Sequence, residues 1–153
     1  MNPEAIEKFL EENDWRYFEE FVMEIFEKHD YNTIKHFRFK GTSRREIDVL
    51  AWNEHRIFIV ECKRWKKHRP KTFHLKEAAK KVIDYLNDFR MVYSKSVATK
   101  FGNINNKEII PIIVTLYEEP IKIFENVLIA PLWKLNSLLL NLDETLDNLF
   151  YNK

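Results

Sequence analysis

Two carboxylates and an ammonium are spaced in this chain so that one pair of strands can bring them together. Asp48 lies in the run Ile47-Asp48-Val49-Leu50-Ala51-Trp52, and Glu61 and Lys63 end a second run, Ile57-Phe58-Ile59-Val60-Glu61-Cys62-Lys63. Between them, Asn53-Glu54-His55-Arg56 has the composition of a hairpin turn. Side chains alternate faces along a strand, so Glu61 and Lys63 share a face about 6–7 Å apart at Cα, and Asp48 can lie beside them. Such a cluster at the end of an apolar hairpin suits a hard divalent cation and a water to be activated. Burying three charged groups for stability alone would be unfavourable. Asp48 and Glu61 are therefore the candidate ligands of Mg²⁺, with Mn²⁺ able to take its place. Cys62 points to the opposite face and reads as a small core residue.

The elements that must hold these groups follow from periodicity. Residues 3–29 read as one helix, with Trp15, Phe18, Val22, Ile25 and Phe26 as its buried stripe and Glu19 at the edge of that stripe. Residues 32–40 alternate as a strand, Gly41-Thr42-Ser43 turns the chain, and the hairpin follows. Pro70 closes a basic connector, after which Thr72 to Tyr93 has helical spacing. The unbroken apolar run from Ile109 to Leu116 predicts a central strand buried on both faces. Glu125 to Ala130 fits a further strand, and Pro131 to Tyr151 one or two amphipathic helices broken near Asn141-Leu142-Asp143.

Charge points to the partner. Residues 1–30 carry ten acids against three Lys and Arg, whereas residues 31–107 carry nineteen Lys and Arg against seven acids. A basic field around an acidic cluster predicts a polyanion such as nucleic acid. Arg44, Arg45, Arg64, Lys66 and Lys67 are the expected phosphate contacts, which position a duplex without reading its sequence. Lys63 would then orient the attacking water or stabilise charge developing on the phosphorane. The five histidines lack paired metal-binding spacing, which argues against zinc. A single cysteine and the absence of a signal-peptide pattern predict a cytoplasmic protein. No apolar run approaches the roughly eighteen residues of a membrane span.

An Asp on one strand followed by Glu-x-Lys on the next resembles the signature of the PD-(D/E)XK nuclease superfamily. Upstream, Phe18-Glu19-Glu20-Phe21-Val22-Met23-Glu24-Ile25-Phe26, ending at Asp30-Tyr31, resembles the opening helix of Mrr-like restriction endonucleases and archaeal Holliday-junction resolvases. Asp30 stands where those families have Gly, and Ile47 where the superfamily often has Pro. The resemblance implies an α/β, restriction-endonuclease-like αβββαβ core, with a mixed central sheet flanked by helices and followed by C-terminal helices. Residues 1–153 would form a single nuclease-like domain. It implies Glu19 as an additional catalytic acid beside Asp48, Glu61 and Lys63, with Glu20, Glu24 and Glu46 as competitors, and a lysine such as Lys76 or Lys80 near the site. The expected activity is Mg²⁺-dependent endonucleolytic hydrolysis of DNA in restriction, repair or recombination, with a homodimer where two strands are cut. The alternative is a non-catalytic nucleic-acid-binding module or assembly subunit on the same fold.

Overall fold

The computed structural model describes residues 2–13, 15–65, 72–119 and 122–148. Helices α1 (Pro3–Glu12) and α2 (Arg16–Lys28) precede strands β1 (Asn32–Lys40), β2 (Arg44–Trp52) and β3 (Arg56–Lys63). Helix α3 (Thr72–Tyr93) then leads to β4 (Glu108–Thr115), β5 (Ile123–Phe124), β6 (Val127–Pro131), α4 (Leu132–Leu140) and α5 (Leu142–Leu146). Among the described residues these strands form one sheet in the order β1-β2-β3-β4-β6-β5. The β1–β2, β2–β3 and β5–β6 pairs are antiparallel, and the β3–β4 and β4–β6 pairs parallel. This is the mixed sheet with helices on both faces that the αβββαβ pattern predicts. No described helix is long and apolar enough to cross a membrane.

Alternation builds two cores, one on each face of the sheet. Phe58, Val60, Ile110, Ile112 and Val114 pack with α1, α2, α4 and α5. Ile57, Ile59, Ile109 and Ile113 pack under the Leu75, Ala79, Val82 and Phe89 stripe of α3. Strand β4 is buried on both faces, which accounts for its continuous apolar sequence.

Where one helix is expected over residues 3–29, the structure has two. Asn13 is extended, at φ −119° and ψ 172°. Its carbonyl and that of Leu10 accept from Arg64 Nη1 at 2.8 and 3.2 Å, so a guanidinium just past β3 takes carbonyls that end α1. The break carries Trp15 out of the buried stripe and leaves it 43% exposed. Helix α2 closes with the N–H of Tyr31 bonded to the Phe26 carbonyl and that of Asp30 to the Glu27 carbonyl. Asp30 sits at φ 66°, the left-handed position such a cap requires. The strand expected from Glu125 starts instead at Val127, because Glu125 and Asn126 (φ 47° and 70°) form the two-residue β5–β6 turn.

The β1–β2 turn is locked onto α3. The Asp88 carboxylate accepts from the Thr42 N–H at 3.2 Å and from Arg45 Nε at 2.7 Å. A Cβ at Gly41 would stand 2.5 Å from Asp88 Cγ, so the turn admits only glycine there.

Asp30→Gly removes the cost of holding a side chain in the left-handed region. It is expected to raise unfolding free energy by about 1 kcal/mol, read as a higher urea midpoint at unchanged slope.

Candidate active site

The β2–β3 ladder ends beside the candidate residues. Pairing runs from Trp52↔Ile57 to Val49↔Val60 and stops. At the next step the Asp48 side chain intervenes, Oδ2 accepting the Cys62 N–H at 2.9 Å. Beyond it β2 pairs only with β1 and β3 only with β4, so the strands fork. The β1–β2 pairing also skips a step, from Lys35↔Val49 to Phe37↔Ile47, and the skipped His36 is left-handed at φ 53°. Ile47 and Val49 would share a face in a regular strand; here Ile47 packs with the α3 core and Val49 with the α2 core. Asp48 therefore stands where both strands reverse their faces.

Glu61 is 5% exposed, on the face of β3 that α3 covers. Its Oε1 lies 3.4 Å from Lys63 Nζ and 3.3 Å from Lys81 Nζ. From the other layer comes Glu19, 1% exposed, with Oε1 2.6 Å from His36 Nε2. Its second oxygen, Oε2, is buried without a hydrogen-bond partner. Burial raises the Glu19 carboxyl against the pull of His36. Burial first, then the Glu61 carboxylate, pushes Asp48 up to about 7, while the Cys62 N–H pulls it down. Burial disfavours the charge of Lys81, but Glu61 and Asp48 beside it leave its ammonium held above the usual range. Burial likewise pushes the Cys62 thiol up, and its side chain packs against the α2-side core.

The structure thus brings together Asp48, Glu61 and Lys63, with Glu19 approaching from α2. Among the competing acids, Glu20 lies on the surface 3.7 Å from Lys35, Glu24 is exposed, and Glu46 is paired with Arg38 at 2.8 Å. The helical lysine is Lys81, one position past the expected Lys80; Lys76 Nζ lies instead over the Phe124 ring. A pattern in the sequence marks it. Lys81, Tyr85 and Asp88 recur one turn apart beside the apolar stripe, and each is engaged across the sheet: Lys81 with Glu61, the Tyr85 ring under Arg45, and Asp88 with Arg45. Of the expected phosphate contacts, Arg44 is exposed. Arg45 and Arg64 are engaged inside the protein, with Asp88 and with the end of α1. Lys66 and Lys67 lie outside the described residues.

Among the described residues no group of three or more His, Cys, Asp or Glu side chains is placed to hold a metal ion. The donor set is the Asp48–Glu61 pair. It fits Mg²⁺, which commonly binds through one or two carboxylates and keeps waters or phosphate oxygens as its other ligands. Burial first and the Glu61 carboxylate second raise the Asp48 carboxyl, and Glu19 Oε2 is a buried acceptor without a partner.

The family model NERD, nuclease-related domain, matches residues 14–116, a span that includes Glu19, Asp48, Glu61, Lys63 and Lys81. An uncharacterized protein of Archaeoglobus fulgidus is 28% identical over 129 residues, covering 84% of this chain and 91% of its own length. The crystal structure of AF1548, a protein of unknown function, superposes with a TM-score of 0.48 at 15% identity, over 86% of this chain and 67% of that one.

Asp48 makes stability depend on pH in a defined direction. Its carboxyl titrates near 3.8 when unfolded and about 7 when folded, so between those values the folded state binds the additional proton. The penalty for its charge is absent below the lower value, grows as pH rises, and is complete above the upper one. Asp48→Asn keeps an acceptor for the Cys62 N–H and removes the penalty. In EDTA at about pH 8 the variant is expected to melt a few degrees above the parent, and the gap should close toward about pH 4, as followed by thermal melts across pH.

Proposed function

The chain belongs to the nuclease-related domain family, within the PD-(D/E)XK-like nuclease superfamily, and from that premise we propose that it is a Mg²⁺-dependent endonuclease hydrolysing DNA phosphodiester bonds. One observation carries the reading: where β2 and β3 part, the half-buried Asp48 carboxylate lies beside the buried Glu61, and two lysines approach Glu61. Burial and Glu61 raise the Asp48 carboxyl to about 7 against the pull of Lys81, a perturbation of the kind that clusters at functional sites. Asp48 and Glu61 would hold the metal, and Mn²⁺ would serve in its place. Bound there, the ion would neutralise the scissile phosphate and acidify a coordinated water.

The remaining roles fall to the chain's own groups. Lys63, part-exposed and 3.4 Å from Glu61, orients the attacking water and faces the charge that develops on phosphorus. Lys81 approaches the same Glu61 oxygen from α3, at 3.3 Å, and positions that carboxylate. Glu19 Oε2, fixed by the His36 bond to its sister oxygen, accepts from a water of the site. The exposed bases of β1 and β2, Lys35, Arg38, Lys40 and Arg44, meet the backbone of the DNA. A cytoplasmic enzyme of restriction, repair or recombination would use such a site, paired with a second copy where both strands are cut.

The test is cleavage of labelled duplex, single-stranded, flap and four-way-junction DNA in Mg²⁺, Mn²⁺ or EDTA. Metal-dependent cleavage is expected, with Asp48→Ala and Lys63→Ala each slower by at least about a hundredfold. Lys81→Ala is expected to retain partial activity. Salt-sensitive DNA binding without cleavage in either metal would overturn the enzymatic reading and identify a binding module.

A further inference from the structure

A nuclease must hold the strand beside the bond it cuts, and the corner between α1 and α2 has the features of such a hold. One face of the Trp15 indole lies on the His36 ring, with centroids 5.9 Å apart and planes 24° from parallel. His36 in turn bonds Glu19. On its other side the corner is tied down by Arg64, next in sequence to Lys63, which donates to the Leu10 and Asn13 carbonyls. Groups on β1 and just past β3 therefore fix the place of a tryptophan that stays 43% exposed, while its neighbour Phe18 is fully buried. Tyr17 and Phe9, also exposed and with rings 5.7 Å apart, add to the aromatic surface.

Charge reverses sign across this ring. On the β1–β2 side the exposed Lys35, Arg38, Lys40 and Arg44 outnumber Glu46; on α1 the exposed Glu4, Glu11 and Glu12 outnumber Lys8. A duplex backbone would be attracted along the basic side and repelled at α1. A strand that passes the corner must leave its partner strand there. What the corner offers it is a fixed aromatic face, which stacks any base that has lost its own stacking neighbour.

We infer that Trp15 is a stacking platform for an unpaired nucleobase, and that the substrate is DNA in which a single strand leaves a duplex beside the scissile bond. The inference rests on the nuclease reading and narrows it to overhangs, flaps and frayed ends. His36 is the positioning residue that holds both the platform and Glu19.

The test separates this inference from its premise by measuring binding in EDTA, without cleavage. The probes are a short blunt duplex and the same duplex with a single-stranded tail carrying 2-aminopurine. The tailed duplex is expected to bind more tightly than the blunt one, with quenching of the 2-aminopurine emission. Trp15→Ala is expected to weaken tailed binding by roughly tenfold, to abolish the quenching and to leave blunt binding as it was. Trp15→Phe, which preserves a ring over His36, should recover most of the preference, and unchanged melting temperatures would exclude misfolding as the cause. If tailed DNA binds equally to parent and Trp15→Ala, the inference fails while the nuclease reading stands. If neither probe binds at all, the premise fails and the inference with it. A concentration-dependent dimer that Trp15→Ala dissociates would assign the ring to a protein interface and overturn the platform.

Discussion

The N–H of Cys62 is bonded to a side chain where an antiparallel ladder would have bonded it to a strand. A buried N–H must find an acceptor, and Asp48 Oδ2 supplies it at 2.9 Å. That one bond ends the β2–β3 pairing without leaving a donor orphaned. It fixes the carboxylate at the apex of the fork and leaves the end of β3 free to present Glu61 and Lys63. Were the ladder to continue, Asp48 and Glu61 would be ordinary partners across a closed sheet, and no opening would join the two layers.

The opening matters because the groups that meet there come from different cores. Glu19 rides on α2, whose Phe18, Val22 and Phe26 anchor it to one face of the sheet. Lys81 rides on α3, whose Ala79, Val82 and Phe89 anchor it to the other. Neither helix could reach the other's side through an intact sheet. Each core is close-packed, so the helices keep their azimuth and the side chains their aim. The electrostatics have the same origin: burial, and then the Glu61 carboxylate, push the Asp48 carboxyl up to about 7.

Much of this was legible because it depends on local alternation. Glu61 and Lys63 had to share a face, Asp48 had to lie across a turn from them, and Val82 and Phe89 had to face the sheet. What escaped depends on partners distant in sequence. The α1–α2 break needs Arg64, fifty-one residues from the carbonyl of Asn13 that it caps. Lys81 could be told from Lys80 only by the azimuth of α3 over the sheet, although the polar stripe it forms with Tyr85 and Asp88 was a usable sign. Arg45 and Arg64 read as free phosphate contacts because nothing local shows that Asp88 and the end of α1 engage them. The left-handed His36 carries no sequence mark at all, since histidine is an ordinary strand residue and nothing local shows that its step opposite Asp48 goes unpaired.

The proposed completion of the Asp48–Glu61 pair by a divalent cation can be tested without DNA. The measurement is calorimetric titration of the metal-free protein with Mn²⁺, repeated against excess Mg²⁺ and on Asp48→Asn and Glu61→Gln. Saturable Mn²⁺ binding is expected, competed away by Mg²⁺ and removed by either substitution. Absence of binding to the parent, or binding that survives both substitutions, would contradict it.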